Sequence, residues 1–172
     1  MQDHFALFDL PRCQKLDGSE LERRFREVQS KVHPDKHAHQ GDAQKRLAMQ
    51  WATQANEAFQ TLKNPLRRAQ YLLQLAGHDA QVENNTAMPG DFLMEQMELR
   101  EEVGDARAAK AESTLDGLRS RLKSGMTAQY ESLGHVLDEK KDYPLATGIV
   151  RQLMFQEKLL QEIDDAIEAI EA

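Results

Sequence analysis

The sequence predicts an all-α protein of two helical domains, and three observations carry that prediction. Apolar residues recur at three- and four-residue intervals through most of the chain. Nine Gly and five Pro cluster at a few places instead of marking the frequent turns of a β protein. The charge also changes sign along the chain: residues 1–75 hold twelve Lys/Arg against nine Asp/Glu, and residues 76–172 hold ten against twenty. A split of that size suggests two regions that meet different partners.

The first region reads as a helical hairpin. Leu21, Phe25, Val28 and Val32 recur at helical spacing, with Arg23, Arg24, Arg26 and Lys31 on the other faces. Pro34 ends this helix, because the residue before a proline is pushed out of the α region. A second stripe follows at Leu47, Trp51, Ala55, Ala58, Phe59 and Leu62. His33-Pro34-Asp35 is therefore an exposed, stiff corner beside a basic face that continues to Lys36. Asn64 is placed to cap a further short helix, Pro65 to open it and Gly77 to end it. Residues 78–90 show no helical period and carry Asn84-Asn85-Thr86 and Pro89-Gly90. The expected organisation is thus a first domain over 1–75, a connector over 76–90 and a second domain over 91–172.

The second domain reads as three helices. One runs from about Asp91 to Val103 and another from Ala106 to Leu137, with Leu115, Leu118, Leu122, Met126, Leu133, Val136 and Leu137 as its stripe. Gly117, Gly125 and Gly134 lie inside that second helix and are expected to bend or fray it. The last helix starts near Tyr143-Pro144, with Leu145, Ile149, Leu153, Leu160, Ile163, Ile167 and Ile170 facing inward. Short connections between long helices imply an antiparallel three-helix bundle.

The helix from Asp91 is more apolar than a bundle requires. Phe92, Leu99 and Val103 share a narrow arc, whereas Leu93, Met94 and Met97 fall roughly 100–200° away, beside Glu98 and Glu101. Phe155 likewise stands opposite most of its own helix's stripe. A Met-rich strip bordered by carboxylates suits an adaptable protein-binding surface, and an aromatic outside a core is a candidate anchor. On these grounds alone, packing against the first domain is an equally good reading.

Several function classes recede. The acidic half would repel phosphates, so nucleic-acid binding is disfavoured. No apolar run is long enough to span a bilayer, and no secretory signal is visible, which points to the cytoplasm. Cys13 stands alone and supplies neither a disulfide nor a paired-cysteine metal site. His33, His37 and His39 lie close together on a proline-containing loop, without a second ligand cluster at fixed spacing, so no metal or other cofactor is expected. The chain also carries no phosphate-cradling glycine loop, nucleophile elbow or zincin motif, so no enzyme is expected.

The order of motifs resembles a J-domain, the co-chaperone module that engages DnaK-type heat-shock ATPases. Phe5-Ala6-Leu7-Phe8-Asp9-Leu10-Pro11 resembles the family's opening helix and its exit, and His33-Pro34-Asp35 its loop. Ala55-Asn56-Glu57-Ala58-Phe59-Gln60-Thr61-Leu62 resembles the end of its third helix, and Asn64-Pro65-Leu66-Arg67-Arg68-Ala69-Gln70-Tyr71 its fourth. The resemblance implies that His33, Pro34, Asp35, Arg23, Arg24, Arg26, Lys31 and Lys36 face the chaperone. Asp35 would accept from a partner arginine, and His33 would supply a docking hydrogen bond.

Further on, Phe92-Leu93-Met94-Glu95-Gln96-Met97-Glu98-Leu99-Arg100-Glu101-Glu102 and Val150-Arg151-Gln152-Leu153-Met154-Phe155 resemble the J-type co-chaperones of iron–sulfur cluster assembly, the HscB type. That likeness implies a specialised DnaK-type ATPase as one partner. The iron–sulfur scaffold protein would be the other, held at Leu93, Met94, Met97, Glu98, Glu101 and Phe155. Two alternatives remain at this point: a general J-protein delivering unfolded clients, and a metal-binding regulator built on the histidines.

Overall fold

The computed structural model describes residues 3–79 and 88–172, so Asn84-Asn85-Thr86 of the expected connector lie outside the described residues. Every element among them is helical: α1 His4–Leu7, α2 Gly18–Val32, a 3-10 turn Pro34–His37, α3 Asp42–Lys63, α4 Pro65–Leu75, α5 Gly90–Ala108, α6 Glu112–His135, a π-helical turn Val136–Lys140, and α7 Tyr143–Glu171. None of these helices is long and apolar enough to cross a membrane. The chain divides into two compact units between Leu72 and Leu73.

In the first unit, α2 and α3 form the expected hairpin. Asp17 caps α2 by accepting from the Ser19 amide. Phe25 of α2 stacks on Phe59 of α3 with ring centroids 4.2 Å apart, and Phe8 meets Phe25 edge-on at 6.2 Å. Phe5, Phe8, Leu21 and Leu62 complete a buried centre. Arg68 ties α4 to it, donating to the carbonyls of Leu62 at 2.6 Å and Gln14 at 2.9 Å. Asn64 caps α4 through the amides of Leu66 and Arg67, as its position suggested. Gly77, at φ 86°, ends the helix with a bond from the His78 amide to the Leu73 carbonyl.

Two residues of the expected α3 stripe do not point inward. Leu47 and Trp51 are exposed, and the buried line runs through Ala48, Ala55, Ala58, Phe59 and Leu62. The last helix shows the same effect. Leu145, expected inside, is exposed, whereas Ala146 and Val150 are buried.

The second unit is the expected bundle, with α5, α6 and α7 each packed on the other two. All seven residues of the α6 stripe, from Leu115 to Leu137, are buried. The break between the first two bundle helices, however, is not at Gly104. Helix α5 continues to Ala108 and closes on Lys110 at φ 54°, with the Ala111 amide donating to Ala106 at 2.9 Å and the Lys110 amide to Arg107 at 3.1 Å. A lysine holds the left-handed position that sequence reading reserves for glycine. Gly117 and Gly125 leave α6 helical throughout, and its hydrogen bonding changes only in the π-turn after His135.

Candidate functional site

The His33 corner is built by capping. His33 is extended (φ −60°, ψ 132°), and its Nδ1 accepts from the Asp35 amide at 3.2 Å, so the imidazole caps the 3-10 turn that follows. An accepting Nδ1 places the ring proton on Nε2, where it can be donated outward. The Asp35 side chain is 92% exposed, with its Oδ2 3.5 Å from the His33 Nδ1. His37 uses both ring nitrogens locally, toward Gln40 Oε1 at 2.9 Å and the Lys31 carbonyl at 3.3 Å. The corner therefore offers one carboxylate and one N–H on a short, capped turn.

The basic face beside it is partly neutralised from within. Arg23 grips Glu20 with two nitrogens, at 2.5 and 3.1 Å, and reaches Glu27 at 2.6 Å. Arg24 donates to the same Glu20 carboxylate at 3.0 Å. These two arginines push the Glu20 carboxyl down to about 2, far below its ordinary range. Lys36 donates to Ser30 Oγ at 3.1 Å, and Arg26 to the Glu22 carbonyl at 3.4 Å. Arg26, Lys31 and Lys36 are exposed and carry positive charge toward the His33 end of α2. On α3 the pair Leu47 and Trp51, one turn apart, is exposed, as is Met49 on a different face. Sequence reading missed its exposure by assigning Leu47 and Trp51 to the core.

In the second unit the apolar strip is exposed. Leu93 is 38%, Met94 62%, Met97 70% and Phe155 43% in solvent, and Glu98 and Glu101 are exposed beside them. The Arg100–Glu162 pair at 3.6 Å sets the register of α5 against α7, which puts Leu93 level with Phe155. Phe92 and Leu99 are half-buried and Val103 is buried, so the inward face of α5 is the expected one. It also contains Gln96, which is 4% exposed.

A helical hairpin whose corner exposes His33 and Asp35, joined in one chain to an acidic bundle with an apolar strip, defines a J-domain co-chaperone. Residues 88–164 match the model of the HSCB C-terminal oligomerisation domain. Over 99% of its length the chain is 52% identical to the co-chaperone protein HscB homolog of Aromatoleum aromaticum, of which it covers 96%. The Ralstonia nicotianae homolog is 49% identical over 98% of the chain and 96% of its own length. Among solved structures, chaperone HscB from Vibrio cholerae superposes with a TM-score of 0.86 at 36% identity, covering 98% of this chain and 99% of that one. Human co-chaperone HscB gives 0.88 at 26% identity, over 95% and 81%. The chain belongs to the HscB family of co-chaperones. That membership sets the general J-protein alternative aside.

Proposed function

We propose that the chain is a two-ended adaptor of iron–sulfur cluster assembly. In this reading residues 1–75 are the J-domain, 76–90 the connector, and 91–172 the scaffold-binding bundle. His33, Pro34 and Asp35 dock on a specialised DnaK-type ATPase, with Arg23, Arg24, Arg26, Lys31 and Lys36 providing long-range attraction. Leu93, Met94, Met97, Glu98, Glu101 and Phe155 hold the scaffold protein. Carrying both partners on one chain raises the local concentration of scaffold at the chaperone and couples its capture to ATP hydrolysis. Hydrolysis belongs to the chaperone and the cluster to the scaffold, so the adaptor needs no catalytic group, metal or nucleotide of its own. The cytoplasm is its proposed compartment.

The observation that carries this reading is the exposed strip from Leu93 to Met97, level with Phe155 on the neighbouring helix. A bundle that leaves a leucine, two methionines and a phenylalanine in water is shaped for a folded partner. The test is fluorescence anisotropy of the labelled scaffold, titrated with the wild-type chain and with Met97→Ala, alongside an unfolded peptide. Saturable scaffold binding that weakens at least tenfold in Met97→Ala, with no comparable peptide binding, is expected. Peptide binding equal to scaffold binding would contradict it.

A further inference from the structure

The hairpin of the first unit leaves a tryptophan outside its core. Trp51 is the one Trp of the chain and is 38% exposed, and Leu47, one turn earlier, is 49% exposed. Farther along α3, Ala58 and Leu62 stand on the same face and are fully buried. Whatever covers that end of the face does not reach Leu47 and Trp51. Two large apolar side chains in water cost the free hairpin stability and supply affinity to a partner that covers them.

The register of the hairpin places the pair. Phe25 of α2 stacks on Phe59 of α3. Eight residues from each toward the loop, Trp51 comes level with His33, where α2 ends. Leu47 lies one turn nearer the loop, and α3 packs against the Pro34–His37 turn. On the inward face of α2, Val28 and Val32 are half-buried, so the apolar interior opens toward this end. The pair therefore borders the corner that exposes His33 and Asp35.

Charge at this end of the hairpin is positive. Arg26 and Lys36 spend their donors on uncharged oxygens, of the Glu22 carbonyl and Ser30, and Lys31 is exposed. Lys45 and Arg46 stand exposed in the first turns of α3. An indole and a leucine amid such cations complement a partner face that carries carboxylates around an apolar recess.

We propose that Trp51, with Leu47, is an apolar anchor for the DnaK-type ATPase, which covers the pair when the His33 corner docks. The assignment rests on that corner being the docking point of the ATPase. Cations bring the two proteins together, and burial of the indole slows their separation. Tryptophan suits the role, because it offers a large contact area with two torsions to fix.

The test uses the full-length chain carrying fluorotryptophan, whose single fluorine signal reports Trp51 alone. Exposure of that fluorine to a soluble paramagnetic agent is read by NMR for the free chain and with saturating ATPase and ATP. The signal should become protected in the complex. The second readout is the concentration of chain that gives half-maximal ATPase stimulation. It should rise about fivefold or more in Trp51→Ala, with the maximal rate retained and much of the loss recovered in Trp51→Phe. Asp35→Asn, made in the same labelled chain, tests the underlying reading and should lose stimulation. If it does so while the fluorine of the otherwise wild-type chain stays exposed at saturation, the corner docks without the anchor and the proposal is overturned. Protection produced by the scaffold alone, or by raising the concentration of the chain itself, assigns the pair to another occupant and overturns it as well. Full stimulation by Asp35→Asn would overturn the corner as docking point, a result separable from the fluorine readout.

Discussion

At the His33 corner of the first unit the exposed groups are a carboxylate, an imidazole N–H and several cations. Along α5 of the second unit they are methionine, leucine and, from α7, phenylalanine. Charge held on a capped turn acts at a distance, speeds encounter and selects a partner by geometry. Apolar area on an adaptable helix face acts only in contact and mainly sets how long a complex lasts. A chain with one surface of each kind can release one partner without releasing the other.

The largest expected effect comes from removing the single charge at the corner. Asp35→Asn leaves the turn intact, because the Asp35 backbone amide makes the bond to His33. It should abolish most stimulation of chaperone ATP turnover, at least about tenfold, as loss of one partner of a desolvated charge pair does. Scaffold affinity should not change. If both functions fall together, the two surfaces are not separate. Next in size, Phe155→Ala should weaken scaffold binding by about tenfold or more, the loss typical of a central aromatic anchor, with scaffold-free ATPase stimulation intact.

Salt sharpens the contrast. Between low and high ionic strength the association rate with the chaperone should fall several-fold, while the scaffold complex changes little. Equal sensitivity at both ends would remove the distinction between charge and apolar contact.

The smallest effect concerns Glu20. Its carboxyl lies at about 2 because Arg23 and Arg24 bond to it, so this stabilisation is complete above the ordinary glutamate range and is lost as pH falls through about 2. Carboxyl-carbon NMR should show Glu20 titrating well below the other glutamates. Glu20→Gln should leave the thermal midpoint nearly unchanged, since the carboxylate is a surface group. A Glu20 titrating with the bulk would mean the two arginines are not held in place.

These surfaces were legible in the sequence to different degrees, for physical reasons. The corner is a contiguous tripeptide with one backbone-restricting residue, so it survives without knowledge of packing. The Leu93–Met97 strip was visible because α5 carries more apolar residues than one face can bury. What failed was the choice between adjacent stripes wherever alanine competes with a larger residue. Leu47 lost to Ala48 and Leu145 to Ala146, and Trp51 is exposed although Ala55, one turn on in the same expected stripe, is buried. The helix end at Lys110 was hidden because a lysine holds the left-handed position there.

Steady-state ATP turnover by the specialised DnaK-type chaperone, titrated with this protein with and without the iron–sulfur scaffold, tests the two-ended account most directly. The account predicts stimulation well above either component alone when both are present, with the excess lost in Met97→Ala. Stimulation that is the same with and without scaffold would contradict it.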